Sequence, residues 1–264
     1  MGHRSPSIIE ITYRGDRTML NIPADDRIAV AIAAAIHGGD VEALQQLLRD
    51  KPELAKARIV DHRGVARTLL HIAADWPGHF PNGAQTVAIL VAAGADVNAP
   101  VIHANPTGSP ETPLHWAASS DDVAVLDALL DGGADIEAPG AVFTGGPAMS
   151  DAVVFAQWRA ARRLVERGAS TTFWQASALG LLDRVRDFCS TEPRPTSAQI
   201  TNALWNACRG GHQMVAEFLL ERGADLDWVG HDDKTPYDVA LESGDAPLIQ
   251  WLRARGAKRS AELK

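Results

Sequence analysis

Residues 112–135 read TPLHWAASSDDVAVLDALLDGGAD, and this stretch decides the fold. Thr112 is a good helix N-cap, and Pro113 fits the first helical position, where no backbone donor is needed. Leu114 then points into a layer between two helices, and the small Ala117 and Ala118 let neighbouring helices approach closely. A second helix carries Leu129-Leu130, and Gly133 ends it in left-handed geometry. A unit of this size cannot bury its apolar face alone, so copies must stack.

Copies are present. Thr112 stands 21 residues before Gly133, and Thr235 stands 21 before Gly256. Further pieces occur at Thr68-Leu69-Leu70-His71, Gly94-Ala95-Asp96, Gly168-Ala169 and Gly223-Ala224-Asp225. Successive glycines from Gly94 to Gly256 are spaced 39, 35, 55 and 33 residues apart, and the 55 holds an eroded extra copy.

This grammar resembles the ankyrin repeat, over roughly residues 25 to 264. The resemblance implies an all-α solenoid of about seven helix–turn–helix units, with β-turn fingers on one edge. Inner helices and fingers would line a concave groove. The repeats begin near Asp25, Gly64, Pro110, Pro147, Thr171, Asn202 and Thr235. Residues 1–24 form a separate extension. There Ile9, Ile11 and Tyr13 alternate with polar residues, Arg14-Gly15-Asp16 offers a turn, and Met19, Leu20 and Ile22 follow, so a β-hairpin is expected.

Composition narrows the function. Lys plus Arg number 25 against 33 for Asp plus Glu, a net charge of −8, which argues against nucleic acid as a partner. The longest apolar run, Ile28 to Ile36, is too short to span a membrane, and no signal peptide is evident, so a cytoplasmic protein is expected. Arginine outnumbers lysine 20 to 5, which points to a bacterial source. Cys189 and Cys208 read as small core residues rather than disulfide or metal ligands. No phosphate loop, zinc motif or nucleophile elbow occurs, and no metal or cofactor is expected. Repeat proteins of this kind are often monomeric, and a monomer is expected here.

In a repeat protein, equivalent positions face one surface. The position of the signature histidine reads His71, His115, Ser150, Trp174, Trp205 and Asp238. The resemblance gives His71 and His115 a structural role, bonding the backbone of the adjoining finger, and His212 a structural role in a turn. Trp174 and Trp205 are not expected to do that work. The next position reads Ile72, Trp116, Asp151, Gln175, Asn206 and Val239. A polar patch of Asp151, Gln175, Asn206 and Arg209 is therefore expected, walled by Trp76, Trp116, Phe155, Trp174 and Trp205. The alternative for the same residues is a hydrogen-bonded stitch between eroded repeats.

Two insertions flank this region. Residues 75–83 carry Trp76, His79 and Phe80, and residues 100–111 carry His103 and Asn105. The finger from Pro139 to Gly146 is also long. Two functions remain open. One is a scaffold that holds a protein partner in the groove, anchored by Trp76, Phe80, Val142 and Phe143. The other is a pocket for an apolar small molecule. There Asp151, desolvated by tryptophans, would act as general acid or base in dehydration, cyclisation or isomerisation, with Gln175 and Asn206 orienting a carbonyl. Arg209 would hold an anionic group, and His79 and His103 would close the loops over it.

Overall fold

The structure, a computed structural model, describes residues 20–105 and 107–264. Fourteen α-helices among these residues form seven consecutive pairs, as the repeat count predicts. They fall into two compact units, one ending at Ala169 and one beginning at Ser170. The span expected from residue 25 to 264 runs through both, and the first unit also takes in residues 20–24.

The first unit holds four pairs. These are α1 (Arg27–Gly38) with α2 (Val41–Asp50), α3 (Leu69–Ala74) with α4 (Gly83–Ala92), α5 (Pro113–Ser119) with α6 (Val123–Asp131), and α7 (Ala148–Val154) with α8 (Trp158–Glu166). Each pair starts from local chemistry. Thr68 and Thr112 cap α3 and α5, and the histidine three residues on bonds back to the cap's own N–H. Asp40 and Asp122 cap the second helices α2 and α6, accepting from Ala43 and Val125 N–H. Gly133 follows α6 with φ near +92°, a conformation that a side chain would strain.

Packing then follows the predicted stripes. Leu70, Leu90, Leu114, Leu126, Leu129, Met149 and Leu164 are buried, and Ala73, Ala74, Ala117 and Ala118 sit where inner helices meet. Truncating one such leucine to alanine costs about 2–5 kcal/mol in a core that cannot collapse around the gap. Bonds at both ends align α3 with α5. His71 Nε2 reaches Glu111 O, just before the α5 cap, and Ser120 Oγ reaches Ala74 O at the other end.

A small sheet joins the first finger to the N-terminal segment. Strand β1 (Asn21–Pro23) pairs in parallel with β2 (Arg58–Val60), which pairs antiparallel with β3 (Ala66–Thr68). Ile22 stands opposite Ile59, and both are buried. The expected hairpin's first strand and its Arg14-Gly15-Asp16 turn lie outside the described residues. Its second strand, carrying Leu20 and Ile22, runs alongside β2. Arg58 is buried in this finger and donates to Ala66 O and Pro100 O, which ties the first finger to the second.

The second unit holds three pairs. They are α9 (Phe173–Ala178) with α10 (Leu182–Ser190), α11 (Ser197–Arg209) with α12 (Gln213–Leu220), and α13 (Pro236–Ser243) with α14 (Ala246–Ala254). Its core gathers Val185, Leu204, Cys208, Val215, Leu219, Leu248 and Leu252. Cys208 is therefore a core residue, as its sequence context suggests, while Cys189 is partly exposed, and both are free thiols. Helix α11 begins five residues earlier than the expected Asn202, because Thr196 and Gln199 form a capping box of their own.

Candidate functional site

The inner helices of the first unit set Ile72, Trp116 and Asp151 in successive repeats at one helical position, as the column comparison requires. Ile72 is buried and Trp116 is partly exposed. Asp151 is 1 % exposed, close to the start of α7. Its Oδ1 accepts the Val142 N–H of the fourth finger at 3.2 Å. Its Oδ2 is buried and meets no hydrogen-bond donor among the described residues.

A second acid joins it. Glu111 ends the finger before α5 and accepts a hydrogen bond from the Trp116 indole. Burial pushes the Glu111 carboxyl up to about 7, and that indole bond only partly offsets it. Asp151 is also raised to about 7, first by burial and then by the neighbouring Glu111 charge, against which the Val142 N–H works. The structure thus pairs Asp151 with Glu111. Column comparison missed Glu111 because it sits just ahead of a helix cap, outside the helical positions compared. Its place directly before Thr112 was the available signal.

Around the acids lies apolar surface. Phe143, 69 % exposed, packs at 5.9 Å on Phe155, 42 % exposed, with Val142 alongside. The edge of the His71 ring meets Trp116 at 5.0 Å. Arg67, paired with Asp75 at 3.3 Å, lies 6.0 Å from the Trp116 ring.

The inserted loops take other positions. Trp76 is 79 % exposed beyond the C-terminal end of α3. His79 N–H donates to Asp122 Oδ2 at 2.6 Å, which ties its loop to the turn after α5. Asp151 belongs to the opposite, finger-side end of these helices. His103 Nε2 bonds Ser109 O within its own finger at 2.9 Å. Phe80 stacks on His37 at 4.3 Å instead of standing free as an anchor.

His71 and His115 perform the structural role expected of them. Nε2 of each bonds the carbonyl just before the next repeat's cap, Glu111 O at 3.0 Å and Gly146 O at 3.2 Å. Each Nδ1 accepts from the cap threonine's N–H, so both rings are neutral with the proton on Nε2. Burial holds His71 at about 3 and lowers His115 as well.

The second unit corrects two readings. Thr172, not Thr171, caps α9, and Gln175 Oε1 accepts the Thr172 N–H at 2.8 Å. Gln175 therefore holds the signature-histidine position, and Trp174 comes one place earlier. The tandem Thr171-Thr172 caused the one-residue slip. The second correction concerns Trp205, which does the work expected only of histidine. Its indole donates at 3.0 Å to Lys234 O, the carbonyl just before the Thr235 cap. Asn206 bonds Asn202 O at 2.9 Å within α11. The Arg209 guanidinium lies 5.9 Å from the Trp205 ring, and burial lowers its pKa despite Asp232 and Glu242 nearby. His212 packs its ring against Gly180 and Gly210, a structural place in the turn.

No group of histidine, cysteine and acidic residues among the described residues has the arrangement to hold a metal ion. Among the same residues no helix is long and apolar enough to cross a membrane.

Comparison with known proteins agrees with this geometry. Residues 30–140 match the family model for ankyrin repeats in three copies, and residues 201–231 match the single ankyrin repeat. The chain is 29% identical over 147 residues to a Caenorhabditis elegans homolog of transient receptor potential cation channel subfamily A member 1, covering 56% of this chain and 10% of that protein. It is 27% identical over 196 residues to the ankyrin repeat and KH domain-containing protein mask-1 of the same organism, covering 74% of this chain and 6% of that one. It thus spans a tenth or less of either relative's length. Among solved structures, the human ASB11 ankyrin repeat domain matches with a TM-score of 0.49 and 19% identity, covering 85% of this chain and 96% of that one. The matched repeats, the threonine caps and the finger-bonding histidines agree: the chain belongs to the ankyrin-repeat family.

Proposed function

We infer that the chain is a binding scaffold that holds a protein partner on the inner-helix and finger face of its first unit. The observation that carries this is the exposed Phe143–Phe155 pair with Val142, apolar side chains left in water where the finger meets the end of α7. Buried aromatics dominate interface energies, so a partner that covers these rings gains most of its affinity there. The fold alone offers only analogy, since one fold carries many functions. The test is affinity capture with the intact chain and with a Phe143→Ala, Phe155→Ala double variant, followed by reconstitution with the purified partner. Loss of binding in the double variant with unchanged helical content is expected. Full retention moves the binding surface elsewhere. The monomeric state and cytoplasmic location belong to the same reading, and light scattering of the purified chain checks the first.

One observation favours a second reading, a small-molecule pocket with acid–base chemistry. Asp151 is held near neutrality by burial, where a general acid or base works best. An apolar metabolite would then lie against Trp116 and Phe155, with proton transfer at Asp151 and no cofactor. Tryptophan quenching by apolar metabolites, with Asp151→Asn as control, tests it. Identical quenching and turnover in that variant removes Asp151 from any such role.

A further inference from the structure

Asp151 presents a buried carboxylate oxygen that meets no donor among the described residues. Such oxygens are costly, and most buried polar atoms in folded proteins are paired. Glu111 stands near enough for its charge to oppose that of Asp151, and its carboxylate accepts from the Trp116 indole. Two ionised acids here would repel each other in a poorly solvated place. The elements packed around α7 do little to relieve this. On α5, His115 is neutral and bonded to Gly146 O. On α8, Arg159 stands 4.0 Å from Asp121 while Arg163 holds Asp127, and Arg67 of β3, near the Trp116 ring, pairs with Asp75. No cation among the described residues is one of the groups that set the state of either acid.

Beside the acids stand Val142 and Phe143, exposed in the finger, and Phe155, exposed just after α7. Carboxylates edged by aromatic rings suit a long basic side chain, whose stem packs on rings while its head reaches oxygen. We propose that the Glu111–Asp151 pair is a recognition subsite for a lysine or arginine side chain of a protein partner, which places its cation on Asp151 Oδ2 and its stem against Phe143 and Phe155. This rests on the scaffold reading above, and the chain's net charge of −8 favours basic partners over acidic ones. Because Val142 N–H holds Asp151 Oδ1, the Val142–Phe143 tip must yield as the cation enters. Protons on the pair compete with that cation, so binding strengthens as pH rises through neutrality.

The test is selection of short random peptides displayed on phage against the intact chain, with Asp151→Asn, Glu111→Gln and the double phenylalanine variant as comparisons. The two acid variants relieve repulsion, so they are expected to fold, and circular dichroism checks this. Selected peptides are expected to carry lysine or arginine beside apolar residues. Their affinity should fall about tenfold in Asp151→Asn, as for loss of one buried charge partner. It should also rise from about pH 6 to about pH 8 in the parent chain, and less steeply in that variant, where Glu111 alone still titrates in this range. Peptides without basic enrichment, or equal affinity for Asp151→Asn, overturn the subsite while the scaffold stands. Peptides that bind the double phenylalanine variant as well as the parent overturn the docking face and the subsite with it.

Discussion

Two aspartates in the first turn of an inner helix meet opposite fates. In the first unit, Asp151 of α7 has one backbone donor on one oxygen and another acid beside it, and its carboxyl is raised to about 7. In the second unit, Asp238 of α13 also pays for burial, yet its carboxyl lies below the usual range. The difference is depth and supply. Asp238 Oδ2 accepts from Thr235 N–H, the Thr235 hydroxyl and Ser260 N–H, and Arg259 adds positive charge. Depth and donors together decide whether a carboxylate is a cap or a reactive group: Asp151 is fully buried and burial is the first cause of its rise, whereas Asp238 is only partly buried and its donors outweigh that burial.

The largest expected effect breaks the satisfied member of the pair. Asp238→Ala should cost about 2–3 kcal/mol at neutral pH, since it removes a charged acceptor from several donors at once. Urea unfolding measures it. The cost should shrink as pH falls below about 3.8 towards the lowered folded-state value, because the parent then loses the same charge. A cost below about 0.5 kcal/mol would show that these bonds merely exchange with water.

Next comes the unsatisfied member. Because the folded-state pKa of Asp151 is raised, the folded chain binds more protons than the unfolded one between about 3.8 and about 7. Stability from this group is full below that window and is lost as pH rises through it. Asp151→Asn should therefore match the parent near the acid end and exceed it by about 1–2 kcal/mol at alkaline pH. Urea midpoints at several pH values check this, and a flat difference contradicts the raised value.

Glu111→Gln sharpens the comparison by removing the like charge alone. Carboxyl carbon resonances should show Asp151 titrating lower than in the parent yet still above an ordinary aspartate, because burial is the larger cause. A return to the ordinary value would make Glu111 the main cause instead. The smallest effect belongs to Phe143→Ala. Its ring is mostly in solvent, so thermal unfolding should change by no more than about 0.5 kcal/mol.

Much of the architecture was legible because its signals are local. Caps, small inner-helix residues and terminal glycines each depend on a few neighbours, and His71 and His115 could be assigned from their place after threonine. The finger sheet was harder to foresee. Arg58–Val60 and Ala66–Thr68 are three residues each, too short for a clear alternation, and their pairing depends on distant Asn21–Pro23. The candidate site was half legible. Asp151 stood in a comparable column, while Glu111 lay outside any helix and entered only through folding. The slip at Gln175 came from two adjacent threonines, either of which could have capped α9. The misjudged Trp205 shows that residue likeness can mislead when one shared atom, an N–H, is what the fold uses.

That indole has a consequence for how this architecture tolerates change. An imidazole both receives from its own cap and gives to the next finger, so one substitution at His115 removes two contacts together. An indole only gives. In the sixth repeat the two duties are divided, with Gln199 serving the start of α11 and Trp205 the link to Lys234. Either can be altered while the other survives, so in this repeat helix start and inter-repeat coupling can be tuned as independent dials.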